Sequence, residues 1–409
     1  MLRINRRRHK STIQVRSQVT RDSFIPAREE ASRFRGELPL SETAWQDGIA
    51  QAIFGVPTRW RRNHALNLER IGHLINDPGA GPMDGLLGDL VLELPVPGLS
   101  RDRPISASGI AQLLNCPHAF LLDRLLHFEE PAVAPPQREI GQPDYGLLFH
   151  DVAAEFYTAN GPAFCAEKRN LAEWLAIAEQ IVERQFQDFL KQYPLVGNAV
   201  RAQQRERLCR DVRDLLEYDW ESLKDTEFTA TEKKFGWSVP VELQVGTKRL
   251  YVRGRIDRID VKGQQTIIRD LKTGRAHLRL RNEAGPDPAL DIEIAVYGLV
   301  AELLAQEWKT PQRIGAAYAY CGRGSAERSF SDDFHEVLKP AATKWLEIAA
   351  GLLEARHFPR TPNSQECTYC SFRPVCGEAA YERATALLAN AEGALRDFAT
   401  LKIAESKEN

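Results

Sequence analysis

The stretch from residue 251 to residue 274, YVRGRIDRIDVKGQQTIIRDLKTG, constrains the fold of this chain more than any other. Two runs rich in Val, Ile, Tyr and Thr, at 251–261 and 265–271, have the composition of β-strands. Gly263 and Gln264 lie between them, and glycine at the first central position suits the two-residue loop of a type II′ hairpin. The sequence therefore predicts an antiparallel hairpin with a fixed register.

This register brings charged side chains together at the open end of the hairpin. Counting back from the turn places Asp257 opposite Asp270, and alternation puts Lys272 on the face of Asp270, beside Arg255. Directly opposed side chains have Cβ atoms roughly 4.5–5.5 Å apart, and like charges placed so are destabilising. A divalent cation such as Mg²⁺ would relieve the repulsion, because it binds carboxylate oxygens. A surface hairpin with solvated or arginine-paired charges is the alternative.

The segments GRIDRID, residues 254–260, and IRDLKTG, residues 268–274, resemble the core of the PD-(D/E)XK nuclease superfamily, and most of all its RecB-like and AddB-like branch. The resemblance implies an α/β fold with a restriction-endonuclease-like core, a short mixed sheet flanked by helices. It also implies that Asp257, Asp270 and Lys272 are catalytic. The two aspartates and the carbonyl of Leu271 would bind Mg²⁺ or Mn²⁺.

A helix upstream of the hairpin carries another candidate ligand. Residues 145–161, YGLLFHDVAAEFYTANG, have a helical pattern, and the final Asn-Gly predicts the end of this helix. A single histidine on a helix is usually packed or solvated. In RecB-like nucleases, however, a Gly-x-x-x-His helix carries the metal-binding histidine, and Gly146 and His150 match that spacing. Glu232, before the hairpin, resembles an acidic residue of the family whose role could equally be structural.

The part of the chain that follows the hairpin motif contains four candidate substrate-binding residues. Arg275 and Arg279 lie in a segment that fits a solvated loop and a phosphate-contacting loop equally well. In the predicted helix at 290–306, the resemblance implies a Gln-x-x-x-Tyr pair that contacts DNA. Tyr297 matches the tyrosine, but Glu293 stands in place of the glutamine. The extra carboxylate could bind the metal or repel a phosphate.

The C-terminal part of the chain contains a metal-binding pattern, because Cys367, Cys370 and Cys376 have the spacing C-x₂-C-x₅-C. Four thiolates bind zinc or an iron–sulfur cluster, so a fourth ligand must come from elsewhere. Cys116, which precedes a proline, and the C-terminal triplet together resemble the iron–sulfur staple of AddB-type and related CRISPR-associated nucleases. That resemblance implies a [4Fe–4S] cluster with a structural role. The zinc alternative would make the protein a zinc-stabilised binding module.

Composition limits what such a protein can do. No apolar run approaches the roughly 20 residues that a membrane span requires. A net charge of −2 gives no overall attraction to nucleic acid, so binding must use local basic patches. Seven cysteines, an odd number, favour a reducing compartment over a disulfide framework. No GxxxxGK[ST] loop is present, so a helicase motor would belong to another chain.

Residues 1–21 contain seven Lys or Arg and no acidic residue. A basic arm that contacts DNA phosphates or a partner is one interpretation. A mitochondrial transit peptide and an arm without function are the others. The expected location is otherwise cytoplasmic, as for a bacterial-type protein associated with DNA.

The predicted organisation has three parts: a basic arm and helical N-terminal extension at 1–100, a nuclease domain with its cluster at 101–380, and a C-terminal helix and tail at 381–409. The sheet is expected to be built on the strands at 228–271. The resemblance implies a Mg²⁺- or Mn²⁺-dependent deoxyribonuclease, an exonuclease rather than an endonuclease, that processes DNA ends in recombination and repair, with a possible helicase partner. The alternatives are a DNA-binding scaffold subunit that cleaves nothing and a CRISPR-associated spacer-processing nuclease.

Overall fold

The computed structural model describes residues 3–4, 81–88, 95–129, 139–222, 224–273, 285–321, 326–330, 332–368, 370–377 and 380–408. The predicted basic arm at 1–21 therefore lies almost wholly outside the described residues, and of the predicted N-terminal extension up to residue 100 only 81–88 and 95–100 are described. No helix among the described residues has both the length and the apolar character needed to cross a bilayer.

Helices cover most of the described chain. The α-helices are α1 (Ala107–Asn115), α2 (Pro117–Phe120), α3 (Gln142–Cys165), α4 (Leu171–Gln192), α5 (Asn198–Ser222), α6 (Pro288–Trp308), α7 (Lys339–Ala355), α8 (Ser364–Thr368), α9 (Arg373–Cys376), α10 (Ala380–Leu388) and α11 (Ala394–Glu408). The strands are β1 (Arg3–Ile4), β2 (Phe128–Glu129), β3 (Glu227–Phe235), β4 (Val241–Val245), β5 (Lys248–Val252), β6 (Gly254–Lys262), β7 (Gln265–Thr273), β8 (Arg313–Cys321) and β9 (Ala326–Ser329).

A five-stranded sheet in the order β3-β6-β7-β8-β9 forms the centre of the fold. Strands β7 and β8 are parallel and the other neighbours are antiparallel, so the sheet is mixed. Helices α1, α6 and α7 pack in one apolar cluster with the sheet, and α3, α4 and α5 pack in a second cluster that includes residues of β7 and β8. The predicted α/β class, a mixed sheet flanked by helices, is confirmed.

The composition of the sheet differs from the prediction in two ways. Strands β4 and β5 form a separate two-stranded hairpin, so the sheet is not the whole 228–271 segment, and β8 and β9 complete it. The run at 251–261 is not one strand either. It is divided at Arg253, because residues up to Val252 pair with β4 and residues from Gly254 pair with β3.

The hairpin of β6 and β7 has the predicted register. Lys262 pairs with Gln265 around a two-residue turn, and Gly263 has the positive φ of 59° that such turns favour. The ladder continues to the pair formed by Arg258 and Arg269. Beyond that pair, β6 runs on beside β3 and β7 runs on beside β8. The next opposed positions, those of the two motif aspartates, thus lie where the two strands separate.

Helix α3 extends past the predicted end at the Asn-Gly pair and includes Pro162. The reason is a long-range contact that local sequence does not reveal. A Cβ atom at Gly161 would lie 2.8 Å from the ring of Phe228 on β3, so the glycine permits close packing between helix and strand rather than ending the helix. The predicted C-terminal helix is also two helices, α10 and α11, which a turn with Gly393 at φ 55° separates.

A buried ionic network fixes the helices of the second cluster to the hairpin. Asp219 on α5 accepts hydrogen bonds from Arg258 at 2.6 Å, from Arg269 at 2.8 Å and from the hydroxyl of Tyr157 on α3. The Arg258 guanidinium also lies 2.8 Å from Asp260 and 3.9 Å from the centre of the Tyr157 ring. Because Arg258 and Arg269 are adjacent in sequence to the motif aspartates, this network holds the strands in place at the point where they separate.

Replacement of Asp219 by alanine is expected to lower the free energy of unfolding by about 3–5 kcal/mol, because it leaves two buried arginines without their shared carboxylate. Urea denaturation measures this change. Glu217→Ala, at an exposed position of the same helix, is the matched control and should stay within about 0.5 kcal/mol of the parent. Equal stability of the two variants would contradict the role of the network.

Candidate active site

The motif aspartates lie at the point where β6 and β7 separate. Asp257 is 8% exposed and Asp270 is 5% exposed. The backbone N–H of Leu271 donates to the Asp257 carboxylate at 2.8 Å, and the Thr231 hydroxyl donates to the Asp257 carbonyl at 2.7 Å. Hydrogen bonds that involve side chains thus replace backbone pairing where the two strands separate, and they hold Asp257 in a defined position.

Three side chains from three different elements form a group that could hold a metal ion. His150 on α3, Glu232 on β3 and Asp257 on β6 each offer one ligand atom, and these atoms all lie within 4.8 Å of one another. The Nδ1 atom of His150 is 3.6 Å from Oδ2 of Asp257. Imidazole nitrogen and carboxylate oxygen form a donor set that suits Mn²⁺, and the carboxylates suit Mg²⁺.

Glu232 is the residue of this group that the sequence left undecided. Its backbone has a φ of 52°, which is unusual for a residue with a side chain, and such conformations cluster at functional sites. Its carboxylate also forms an ion pair with Arg255. The only sequence signal for Glu232 was the resemblance.

The second aspartate lies next to the candidate catalytic lysine. The ammonium group of Lys272 is 2.7 Å from Asp270 and 3.0 Å from Glu293 on α6. It also lies 5.4 Å from the centre of the Tyr318 ring on β8. The structure therefore brings Lys272, Asp270 and Glu293 together, beside the group formed by Asp257.

Burial and nearby charges shift the pKa values of the ionisable side chains in this site. Desolvation raises the pKa of Asp257 to about 7, and desolvation followed by the nearby charge of Asp257 raises the pKa of Asp270 to about 7. Burial alone would lower the pKa of Lys272, but the charges of Asp270 and Glu293 outweigh it and raise that pKa. Burial lowers the pKa of His150, which keeps its imidazole neutral and able to bind a metal. The site therefore favours either a proton or a cation beside its two aspartates.

The candidate substrate-binding residues lie in different surroundings, and two of them are not described. Tyr297 is partly buried on α6, and desolvation followed by the charge of Asp270 raises its pKa, so its hydroxyl keeps its proton. Glu293 lies close to the lysine, as described above. Arg275 and Arg279 lie outside the described residues. The backbone N–H of Leu271 contacts Asp257, whereas the ligand role of its carbonyl stays a prediction.

The four predicted cluster cysteines, Cys116, Cys367, Cys370 and Cys376, line one cavity of about 250 Å³. Burial raises the pKa of the Cys116 thiol to about 12, and the charge of Cys376 contributes to this rise. In the described part of the chain, no three of these sulfurs form a group as close as the His150 site. The cavity therefore brings the four cysteines of the predicted metal-binding pattern together.

Comparison with known protein families shows to which superfamily the chain belongs. The family model of the PD-(D/E)XK nuclease superfamily matches residues 104–377, which is more than half of the chain. The protein therefore belongs to the PD-(D/E)XK nuclease superfamily. The comparison with curated proteins found no match. The crystal structure of SSO0001 is similar over 66% of this chain and 96% of that chain, with 15% identity and a TM-score of 0.24, which is too low to carry an argument.

The pKa of Asp257 leads to a prediction about stability. A carboxyl group with a pKa of about 7 in the folded state and roughly 4 in the unfolded state binds more protons when folded, so metal-free stability falls as pH rises between these values. Asparagine cannot ionise, and its amide oxygen can still accept the Leu271 N–H. At pH 8 with a chelator, Asp257→Asn is expected to be more stable than the parent by on the order of 2 kcal/mol, with a smaller difference near pH 4.

Urea denaturation at the two pH values measures this difference. Glu227→Gln, at an exposed position of β3, removes a carboxylate that is not buried and serves as the control. A stability difference between Asp257→Asn and the parent that does not change with pH would contradict the raised pKa.

Proposed function

We propose that the protein is a metal-dependent deoxyribonuclease that hydrolyses phosphodiester bonds. The observation that carries this proposal is the convergence of Asp257, Asp270 and Lys272 where β6 and β7 separate. Membership of a nuclease superfamily supplies the reaction class. The charges supply the reason for a metal, since two buried carboxylates with raised pKa values favour a bound cation.

The proposed ligands are Asp257, Asp270, His150 and the carbonyl of Leu271, with Glu232 added by its position in the same group. When bound, Mg²⁺ or Mn²⁺ would lower the pKa of a coordinated water and stabilise negative charge on the phosphate. The N–H of Leu271 holds Asp257 in a fixed orientation. Imidazole stays neutral because burial lowers the pKa of His150.

The proposed role of Lys272 is to orient the attacking water or to neutralise a phosphate oxygen. A compact ammonium group suits either task, and the charges beside it keep it protonated. Glu293 limits the movement of this side chain through its ion pair at 3.0 Å. The hydroxyl of Tyr297, which keeps its proton, would donate to the substrate. Arg275 and Arg279 would contact phosphates of the DNA backbone.

The finer features of the proposal rest on the resemblance to the RecB-like and AddB-like branch. A histidine on the helix beside the carboxylates supports this branch, since His150 lies within 3.6 Å of Asp257. We propose an exonuclease that processes single-stranded or duplex DNA ends in recombination and repair, in the cytoplasm, with a helicase as a separate partner. The proposed domain boundaries remain 1–100, 101–380 and 381–409.

We also propose that the four cysteines hold a [4Fe–4S] cluster. The support is the position of all four cysteines around one cavity. Its role would be structural, because Cys116 follows α1 whereas the other three cysteines lie near the C-terminal end of the matched region. A backbone hydrogen bond of 3.0 Å from His118 to Pro359 already joins the same two regions.

A second candidate function is a DNA-binding scaffold subunit that cleaves nothing. The observation in its favour is the contact between Lys272 and Glu293, because a carboxylate at this position ties the lysine and repels phosphate. The retention of Asp257, Asp270 and Lys272 together argues against it, since a scaffold requires none of them.

Lys272→Ala is expected to reduce cleavage of end-labelled single- or double-stranded DNA in Mn²⁺ by at least about 100-fold, because the ammonium group next to Asp270 is lost. Lys262→Ala, at the exposed turn end of the same hairpin, should cleave like the parent. A gel assay of anaerobically purified protein measures both, and the product ladder separates exonuclease from endonuclease action. A folded, DNA-binding parent that cleaves nothing would favour the scaffold.

The cluster proposal predicts that the anaerobically purified protein is brown and that Cys376→Ser loses its visible absorbance. Cys209→Ser is the control, because Cys209 lies on α5 and does not line the cavity, and this variant should keep the colour. Colourless parent protein that contains zinc would contradict the iron–sulfur cluster and support a zinc site.

A further inference from the structure

Trp237, in the turn that follows β3, is an exposed aromatic side chain that the proposed chemistry does not use. Its side chain is 62% exposed, although large aromatic residues bury more area than most others when they fold into a core. Its neighbour in this turn, Val239, is 69% exposed. Two apolar side chains at a single exposed turn are too few to form an extended apolar docking surface.

The turn is built so that the indole keeps one position. The indole N–H donates to the carbonyl of Gly254 at 3.2 Å. Gly236 has a φ of 72°, and a Cβ atom there would lie 2.4 Å from the carbonyl oxygen of Val252. A Cβ at Gly254 would lie 2.7 Å from the ring of Phe235. Both glycines therefore let the turn lie against the start of β6, which fixes an exposed indole.

Two exposed cations accompany the indole. The guanidinium of Arg253 lies 5.1 Å from the ring centre, and the ammonium of Lys234 lies 5.9 Å from it. Neither cation is within ion-pair distance of a carboxylate in the portion of the chain that the structure describes, whereas nearby Arg255 is paired with Glu232. An aromatic face with adjacent cations is the combination with which proteins bind the bases and phosphates of single strands.

The turn that holds the indole lies against the same strand that carries Asp257. Gly254, which holds the indole, precedes Asp257 by three residues on β6, a separation of about 10 Å at the strand rise of about 3.3 Å per residue. The ring of Phe235, beside the turn, contacts Tyr297 edge-on with 6.1 Å between centres. This ring contact connects the turn that holds the indole to α6, the helix that carries Tyr297 and Glu293.

We propose that Trp237 is a base-stacking platform for single-stranded DNA that enters the candidate active site, with Arg253 and Lys234 binding the flanking phosphates. The inference rests on the proposed nuclease function and specifies its substrate. Bases inside a duplex are stacked on both faces and cannot reach an indole, so the platform favours single strands. Every base has a π-face, so the platform does not select sequence.

The test compares two DNA strands of equal length, a normal single strand and one whose sugars carry no bases. Fluorescence anisotropy measures their binding, with Ca²⁺ in place of Mn²⁺ to prevent cleavage. Trp237→Ala is expected to weaken binding of the normal strand by about 10-fold or more, the loss typical of one base–aromatic stack. Binding of the strand without bases, and of a circular duplex without ends, should not change. Trp237→Phe should retain most of the affinity.

Val239→Ala is the matched control, because it shortens the other exposed apolar side chain of the turn and should bind both strands like the parent. If Trp237→Ala does not fold, Trp237→Leu against Trp237→Phe gives the same comparison, since both fill the position and only phenylalanine stacks. An unchanged affinity for the normal strand, or an equal loss for both strands, would overturn the platform. A parent protein that neither binds nor cleaves any DNA would instead overturn the proposed function.

Discussion

Asp257 and Asp270 lie nearly fully buried at opposed positions of neighbouring strands, where water solvates neither carboxylate well and their charges repel. The surrounding structure compensates for this arrangement. The N–H of Leu271 binds one carboxylate, and the ammonium of Lys272 binds the other. Burial still raises the pKa of both carboxyl groups, so binding a proton or a cation stabilises the site. Such local instability is common where a protein performs chemistry.

Strands β6 and β7 can accommodate the two buried aspartates because a second set of buried charges, one residue away, stabilises the same strands. Asp219 joins Arg258 and Arg269, and all three side chains are buried or nearly so on the side of the sheet that faces α3 and α5. The same network contacts Tyr157 on α3, the helix that carries His150. Fold and site are thus connected, because the helix that supplies the imidazole is fixed to the strands that supply the carboxylates.

The sequence was most informative where structure is local. A two-residue turn sets the register of β6 and β7, so the positions of Asp257 and Asp270 could be counted from it. Glu232 could not be located in this way, because a separate hairpin lies between β3 and β6 and no short turn sets their register. Gly161 was misread as a helix end, since its partner Phe228 lies far along the chain. Long-range contacts therefore account for the differences between the predicted and observed folds.

A crystal structure with Mn²⁺, located by its anomalous scattering, tests the central claim most directly. The account predicts Mn²⁺ bound by Asp257 and Asp270 at bond distances close to the roughly 2.0–2.2 Å typical of carboxylate oxygens on small divalent ions, with Glu232 or His150 completing the site. Lys272 would remain beside it, free of direct coordination. Mn²⁺ bound elsewhere, or none at a concentration that supports cleavage, would contradict the account.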